Sequence, residues 1–295
     1  MNQLKGKVEV ITGASRGLGL AIARLYAQER AQVVLSGRSQ PVIAEASRAW
    51  NQEGLQTAAF ACDVSDRKQV EALADFAIRT YGHFDVWVNN AGIGGPFGPT
   101  LDLSVDDFRS VLQTNIFGTY YGSVTAMRHF LPRGSGKLIN LLGAGERGPV
   151  PNQNAYASTK SWIRVFTLAL AREYKTSGVG VFAFQPGLME TDLLKEVRTF
   201  EGYEPRLSSF MPFLIRAIGK QPELPARKAL WLASPATDGR TGLSVKTGSP
   251  FSVPGGFLRE GLRHLLRLPE RRVEMHIQIL PSAFTPLDGD SPRKS

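Results

Sequence analysis

Val8-Glu9-Val10-Ile11-Thr12-Gly13-Ala14-Ser15-Arg16-Gly17-Leu18-Gly19 is the stretch that decides the fold. Val8 to Ile11 read as a short buried strand. The pattern after the glycines, through Ile22, Leu25 and Tyr26, is helical. Glycines between a first strand and a first helix let the backbone approach a pyrophosphate at the helix N-terminus, where free amides and the helix dipole favour an anion. The spacing is Gly-x-x-x-Gly-x-Gly rather than Gly-x-Gly-x-x-Gly. Any tight turn uses glycine, so the nucleotide reading draws its weight from the placement between strand and helix.

Working outward, the second strand is Gln32 to Ser36, and it runs into Gly37-Arg38-Ser39. Sheets that bind dinucleotides often place a carboxylate here to hold the ribose 2′-hydroxyl. This chain offers Arg38 instead, with Arg16 in the glycine turn. Two guanidiniums and no carboxylate suit a 2′-phosphate, so NADP(H) is expected over NAD(H). The plainer alternative is two solvated surface arginines. A helix near 41–53 and a strand from Thr57 to Ala61 follow, and the strand ends at Cys62-Asp63-Val64. Asp63 lies at the strand edge where ligands bind in open parallel sheets; it either accepts from an adenine amine or caps a helix. Residues 66–80 are helical, and the strand Asp85 to Val88 runs into Asn89-Asn90-Ala91-Gly92, whose small residues let the chain pass close to a cofactor.

Ser104-Val105-Asp106-Asp107 has the form of a capping box and opens a long helix that contains Asn115 and ends near Pro132. An asparagine inside an apolar helix is unfavourable unless its amide is satisfied. The strand Lys137 to Leu142 leads to Tyr156-Ala157-Ser158-Thr159-Lys160, which opens another helix. Tyr156 and Lys160 are four apart and share a helix face. An ammonium one turn away should lower a phenol whose free pKa is about 10. After the strand Val179 to Phe184 comes Gln185-Pro186-Gly187-Leu188, and residues 188–224 read as a long irregular segment, a candidate substrate lid. A helix from Pro225 to Ala233 and a short strand from Leu243 to Lys246 close the pattern. Strands alternating with helices predict an α/β fold, a doubly wound parallel sheet of about seven strands covered on both faces.

Hydrophobic residues make up 42% and charged residues 21%, the balance of a globular chain with a sizeable core. The single cysteine, Cys62, excludes an intrachain disulfide and suits a reducing compartment. The chain enters a strand almost at once, leaving no room for a signal peptide, and no apolar run reaches a membrane span; a cytoplasmic location is expected. More than half of the +9 net charge lies in the last third, so the basic pI argues poorly for nucleic-acid binding, and none is expected. No histidine stands in metal-ligand spacing, and no metal is expected.

In order, Thr12-Gly13-x-x-x-Gly17-x-Gly19, Asp63, Asn90-Ala91-Gly92, Asn115, Tyr156-x-x-x-Lys160 and Pro186-Gly187-x-x-x-Thr191 resemble the motifs of the short-chain dehydrogenase/reductase family over about residues 5–250. The resemblance implies a Rossmann-type domain over 1–250 and an oxidoreductase that interconverts a carbonyl and an alcohol, on a small-molecule substrate, as a homodimer or homotetramer. Gly13, Ser15, Arg16, Gly17, Leu18, Gly19, Arg38, Asp63, Val64, Asn90, Ala91 and Gly92 would cradle the cofactor. Pro186, Gly187, Leu188 and Thr191 would contact its nicotinamide end. Tyr156 would exchange a proton with the substrate oxygen. Lys160 would bind the nicotinamide ribose and lower the phenol's pKa. Asn115 would kink its helix and hold a water of a proton relay.

One departure matters. The family usually places a serine 13 residues before the tyrosine, and this chain has Gly143 there, with no Ser or Thr anywhere in 138–155. Either the pocket accepts a bulkier substrate held by Tyr156 and a neighbour such as Gln153 or Asn154, or the site is weakened. The alternative function is therefore an NADP-binding regulatory or scaffold protein with little catalysis. Retention of Tyr156, Lys160 and Asn115 favours the enzyme.

Residues 251–295 exceed what such a domain needs. Phe257 to Leu268 carries Leu258, Leu262, Leu265 and Leu266 on one face and Arg259, Arg263 and Arg267 on another. Leucines covering the domain or a partner subunit are expected in preference to an anionic membrane, because the helix is short and lacks Trp. Val273 to Ile279 alternates like a strand, and 281–295 has the composition of a disordered tail.

Overall fold

The computed structural model describes residues 2–248, 252–266, 269 and 272–284. Seven strands form one parallel sheet: β1 (Val8–Ile11), β2 (Gln32–Gly37), β3 (Gln56–Ala61), β4 (Val86–Asn89), β5 (Gly136–Leu141), β6 (Val179–Gln185) and β8 (Ser244–Lys246). Their order is β3-β2-β1-β4-β5-β6-β8, and every pairing is parallel. The α/β class, strand count and Rossmann-type winding are as the sequence predicts.

Alternate side chains explain why both faces are covered. Val33 and Leu35 join Ile22 and Tyr26 of α1 (Gly17–Gln28), Ile43 of α2 (Gln40–Gln52) and Leu230 of α9 (Glu223–Ala233) on one face. Val34, Val8 and Val10 turn to the other, against Leu73 of α3 (Arg67–Tyr81) and Phe130 of α5 (Gly118–Phe130). Burying a branched or aromatic side chain of this kind stabilises by about 1.5–3 kcal/mol. The strand order reverses between β1 and β4, and in open α/β sheets the carboxyl ends at such a switch point form the ligand crevice.

The helix expected from 104 to 132 is interrupted. Ser104 Oγ accepts from the Asp107 amide at the start of α4 (Val105–Leu112), as the capping pattern predicts. A π turn over Gln113–Phe117 then separates α4 from α5. The Tyr156–Lys160 pair lies in α6 (Asn154–Glu173).

The segment 188–224 is not irregular. It holds α7 (Asp192–Lys195), β7 (Glu196–Phe200) and α8 (Glu204–Ile218). β7 pairs in parallel with β9 (His276–Leu280) of the C-terminal extension. Leu207, Met211 and Ile215 of α8 pack with Val273, Met275, Ile277 and Leu188. The extension thus builds part of the roof over the carboxyl edge of the sheet rather than standing apart from the domain. The expected disorder of 281–295 falls largely outside the described residues, although Ser282 Oγ reaches Asp102 and the Ala283 amide donates to Asp102 O (3.0 Å).

The extension helix begins earlier than the periodicity predicts, as α10 (Ser252–Leu265) packed on α8. Its leucines do not cover the domain: Leu258, Leu262, Leu265 and Leu266 are all exposed. Nor are Arg259 and Arg263 merely solvated, since both approach the buried Glu260. The turn-by-turn spacing identifies the two stripes, but not which one meets the protein. Among the described residues, no helix is long and apolar enough to cross a membrane.

Candidate active site

The crevice at the β1/β4 switch point is lined by the glycine turn, Arg38, Asp63, Val64, Asn90 to Ile93, Leu141, Leu142, Tyr156, Lys160, Pro186, Met189 and Thr191. It brings together most of the predicted cofactor residues, including Ser15, Leu18 and Arg16. Gly187 and Leu188 stand just beyond it on the same turn.

The glycines leave room that side chains would take. Asn90 Nδ2 donates to Thr12 O (2.9 Å) and Gly13 O (3.1 Å), stitching the ends of β1 and β4 together. A Cβ on Gly13 would lie 2.8 Å from Ala91 Cα, and Gly13 has φ +66°. A Cβ on Gly19 would strike the Gly13 carbonyl. This close backbone path, ending at the α1 N-terminus, fits a dinucleotide pyrophosphate.

At the end of the crevice beside β2, Arg38 is exposed on the rim. Arg16 also lines the crevice, and its Nη1 pairs with Glu196 of β7 at 3.0 Å. Asp63 Oδ1 accepts from both the amide (2.9 Å) and hydroxyl (2.7 Å) of Ser65, while the cap of α3 is Asp66. Asp63 is therefore not the helix cap that the sequence allowed.

Asn115 is fully buried in the π turn. Its Oδ1 accepts from the Ile93 amide (2.9 Å), and its Nδ2 donates to Ile93 O (2.9 Å) and Thr159 Oγ1 (3.1 Å). Its amide is fully used in tying α5, α6 and the Gly92 loop together. π turns concentrate at functional sites.

Lys160 Nζ donates to Leu141 O (3.2 Å) and sits 5.5 Å from the centre of the Tyr156 ring. Burial pushes the Lys160 ammonium down to about 8 and the Tyr156 phenol up to about 12. The phenol pKa was expected to fall, and it rises instead, because burial removes solvent from around the ring.

Gly143 accounts for how the phenol is seated. A Cβ built on Gly143 would collide with Tyr156 Oη, lie 2.9 Å from its Cζ and 3.2 Å from Lys160 Cγ. The tyrosine hydroxyl occupies the room that any side chain at 143 would need. The two neighbours expected to help do not reach this point. Asn154 is exposed and donates to Thr100 Oγ1 (3.2 Å), and Gln153 stands at the α6 N-cap without a capping bond.

Gln185, placed by its sequence in the turn after the strand Val179 to Phe184 and given no role there, does reach it. Its Nε2 donates to Gly143 O (2.7 Å) and its Oε1 accepts from the Gly187 amide (3.3 Å). One side chain thereby joins the loops after β5 and β6. A polar residue immediately before Pro186-Gly187, at the crevice edge, was the available signal.

A family model described as short chain dehydrogenase matches residues 7–202. The chain is 37% identical over 257 residues to 3beta-hydroxysteroid dehydrogenase 1 of Eggerthella lenta, covering 86% of this chain and 95% of that one. It is 31% identical over 255 residues to glucose 1-dehydrogenase 2 of Bacillus subtilis, again 86% and 95%. Among solved structures it resembles a gluconate 5-dehydrogenase from Burkholderia cenocepacia J2315 in complex with NADP and tartrate. The TM-score is 0.74 at 26% identity, over 88% of this chain and 97% of that one.

Proposed function

The chain belongs to the short-chain dehydrogenase/reductase family, whose chemistry interconverts carbonyls and alcohols with a nicotinamide dinucleotide, and we propose that this member is an NADP(H)-dependent reductase of a bulky, apolar carbonyl compound. The observation that carries the reading is the seating of Tyr156 against Gly143 beside the buried Lys160. The Tyr156 phenol, pushed up to about 12 by burial, carries its proton at neutral pH and is the proton donor of the reductive direction. The nicotinamide, when bound, supplies the hydride. Tyr156 gives its proton to the substrate oxygen as negative charge develops there, and Lys160, charged below about 8, stabilises the resulting phenolate.

Ile93, Leu142 and Met189, which line the crevice together with Tyr156, support an apolar substrate. The relatives include a steroid and a sugar dehydrogenase by name, so likeness alone does not select a substrate. NADP(H) preference rests on Arg38 at the crevice rim with no carboxylate in its place. Arg16, on Glu196, would have to share itself with the phosphate. The exposed aromatic residues Phe117 and Tyr120, with Val165 on α6, would suit the face of a homodimer or homotetramer in the cytoplasm.

The alternative, a dinucleotide-binding regulatory or scaffold protein, keeps one argument: loss of one polarising donor in such a site costs on the order of 10²–10³ in turnover. Oxidation of NADPH against a panel of small and bulky carbonyls, run beside direct NADPH binding, separates the two. Turnover on a bulky apolar carbonyl supports the reductase. Tight binding with no turnover on any of them supports the binder.

A further inference from the structure

The unpartnered leucine face of α10 lies opposite the face that meets the protein. The helix packs through Gly256, where a Cβ would strike the Ala217 carbonyl, and through Glu260, which is 3% exposed. At 100° per residue, Leu258, Leu262, Leu265 and Leu266 fall on the far side. They are 67%, 48%, 76% and 64% exposed, which is more contiguous apolar surface than scattered surface leucines present.

The edge of this face is cationic. The buried Glu260 carboxylate is approached by Arg259 (3.9 Å) and Arg263 (3.3 Å), two guanidiniums whose side chains are 63% and 39% exposed. Arg259 also donates to Arg216 O (2.8 Å). Positive charge is left in excess along one flank of the leucines. Antiparallel pairing with a second copy about a two-fold axis would set arginine edge against arginine edge, whereas an anionic surface complements that edge.

An apolar stripe flanked by arginines is the pattern of a helix that lies in the headgroup region of an anionic bilayer. We propose that α10 docks this chain peripherally on an anionic lipid surface, with Leu258, Leu262, Leu265 and Leu266 entering the acyl boundary and the arginine edge facing the headgroups. Because α10 rests on α8, and α8 packs on Leu188 beside the crevice, docking sets the roof of the site against the membrane.

The test is co-sedimentation of the full chain with phosphatidylcholine vesicles, with and without phosphatidylglycerol. The chain should sediment with the anionic vesicles and be released by salt as the screening length shortens. Leu258→Glu/Leu265→Glu should weaken binding at least about tenfold, and Arg263→Gln about fivefold. All of these side chains are at least partly exposed, so the thermal midpoint should hold. Leu258→Gln/Leu265→Gln gives a milder second variant with the same expected direction. Failure to sediment with anionic vesicles at low salt overturns the proposal. So does equal binding to pure phosphatidylcholine, or full retention of binding by the leucine variants. A wild-type dimer that the leucine variants dissociate, with no vesicle binding, also overturns it and gives the face to a second copy.

Discussion

Gly143 and Lys160 carry the sharpest expectations at the scale of single residues. Gly143→Ser cannot simply return a lost hydrogen bond, because its Cβ needs the room that Tyr156 Oη fills. The substitution should displace the phenol and lower kcat/KM on the preferred bulky substrate about tenfold or more, the loss expected from roughly 1.4 kcal/mol of transition-state stabilisation. A rise on every carbonyl would instead mark a weakened site. Lys160 sets a second test. Its buried ammonium is charged below about 8 and loses its proton as pH rises through that value. The kcat/KM for NADPH, which reports the free enzyme, should therefore fall along an alkaline limb near 8, and Lys160→Arg should move that limb upward. A limb left in place by Lys160→Arg would assign it to another group. Tyr156, Lys160, Asn115 and the glycines were legible because each motif is local in the chain. Gln185 and Glu196 were not, because their partners lie 42 and 180 residues away.

The elements divide in the same way. The strands of the main sheet were readable from their apolar runs and flanking glycines. The π turn was legible as an asparagine that had to be satisfied inside a helix and, through the family resemblance, as a kink at Asn115. Its partner, the Ile93 backbone, is 22 residues upstream. Asn115→Ala leaves both the Ile93 amide and carbonyl without that partner, and should destabilise the fold by about 2–3 kcal/mol. It should also weaken NADPH binding, since the Gly92 loop lines the crevice. Denaturant unfolding and NADPH titration of the variant check both. Loss of activity with native stability would assign Asn115 a chemical rather than a positioning part. The segment 188–224 was misread as irregular because β7 is completed by β9, which lies about 80 residues later and beyond the domain's expected end. Pro212 inside α8 added to the appearance of a loop.

The whole molecule follows from the strand order. Reversal between β1 and β4 opens the crevice; β5 and β6 bring Gly143, Gln185 and the start of α6 to its far end; β9 of the extension pairs with β7, whose Glu196 meets Arg16 at the crevice edge. Arg38 at one end and Tyr156 at the other then make separable predictions. Arg38→Asp should weaken NADPH far more than NADH, and equal loss would remove the argument for the 2′-phosphate. The most direct test of the account is NADPH oxidation with a bulky apolar carbonyl, measured for the wild type and Tyr156→Phe, with NADPH affinity determined for both. The account predicts a fall in turnover of about 10²–10⁴ with affinity little changed, the signature of a lost general acid. Near-native turnover by Tyr156→Phe would contradict it.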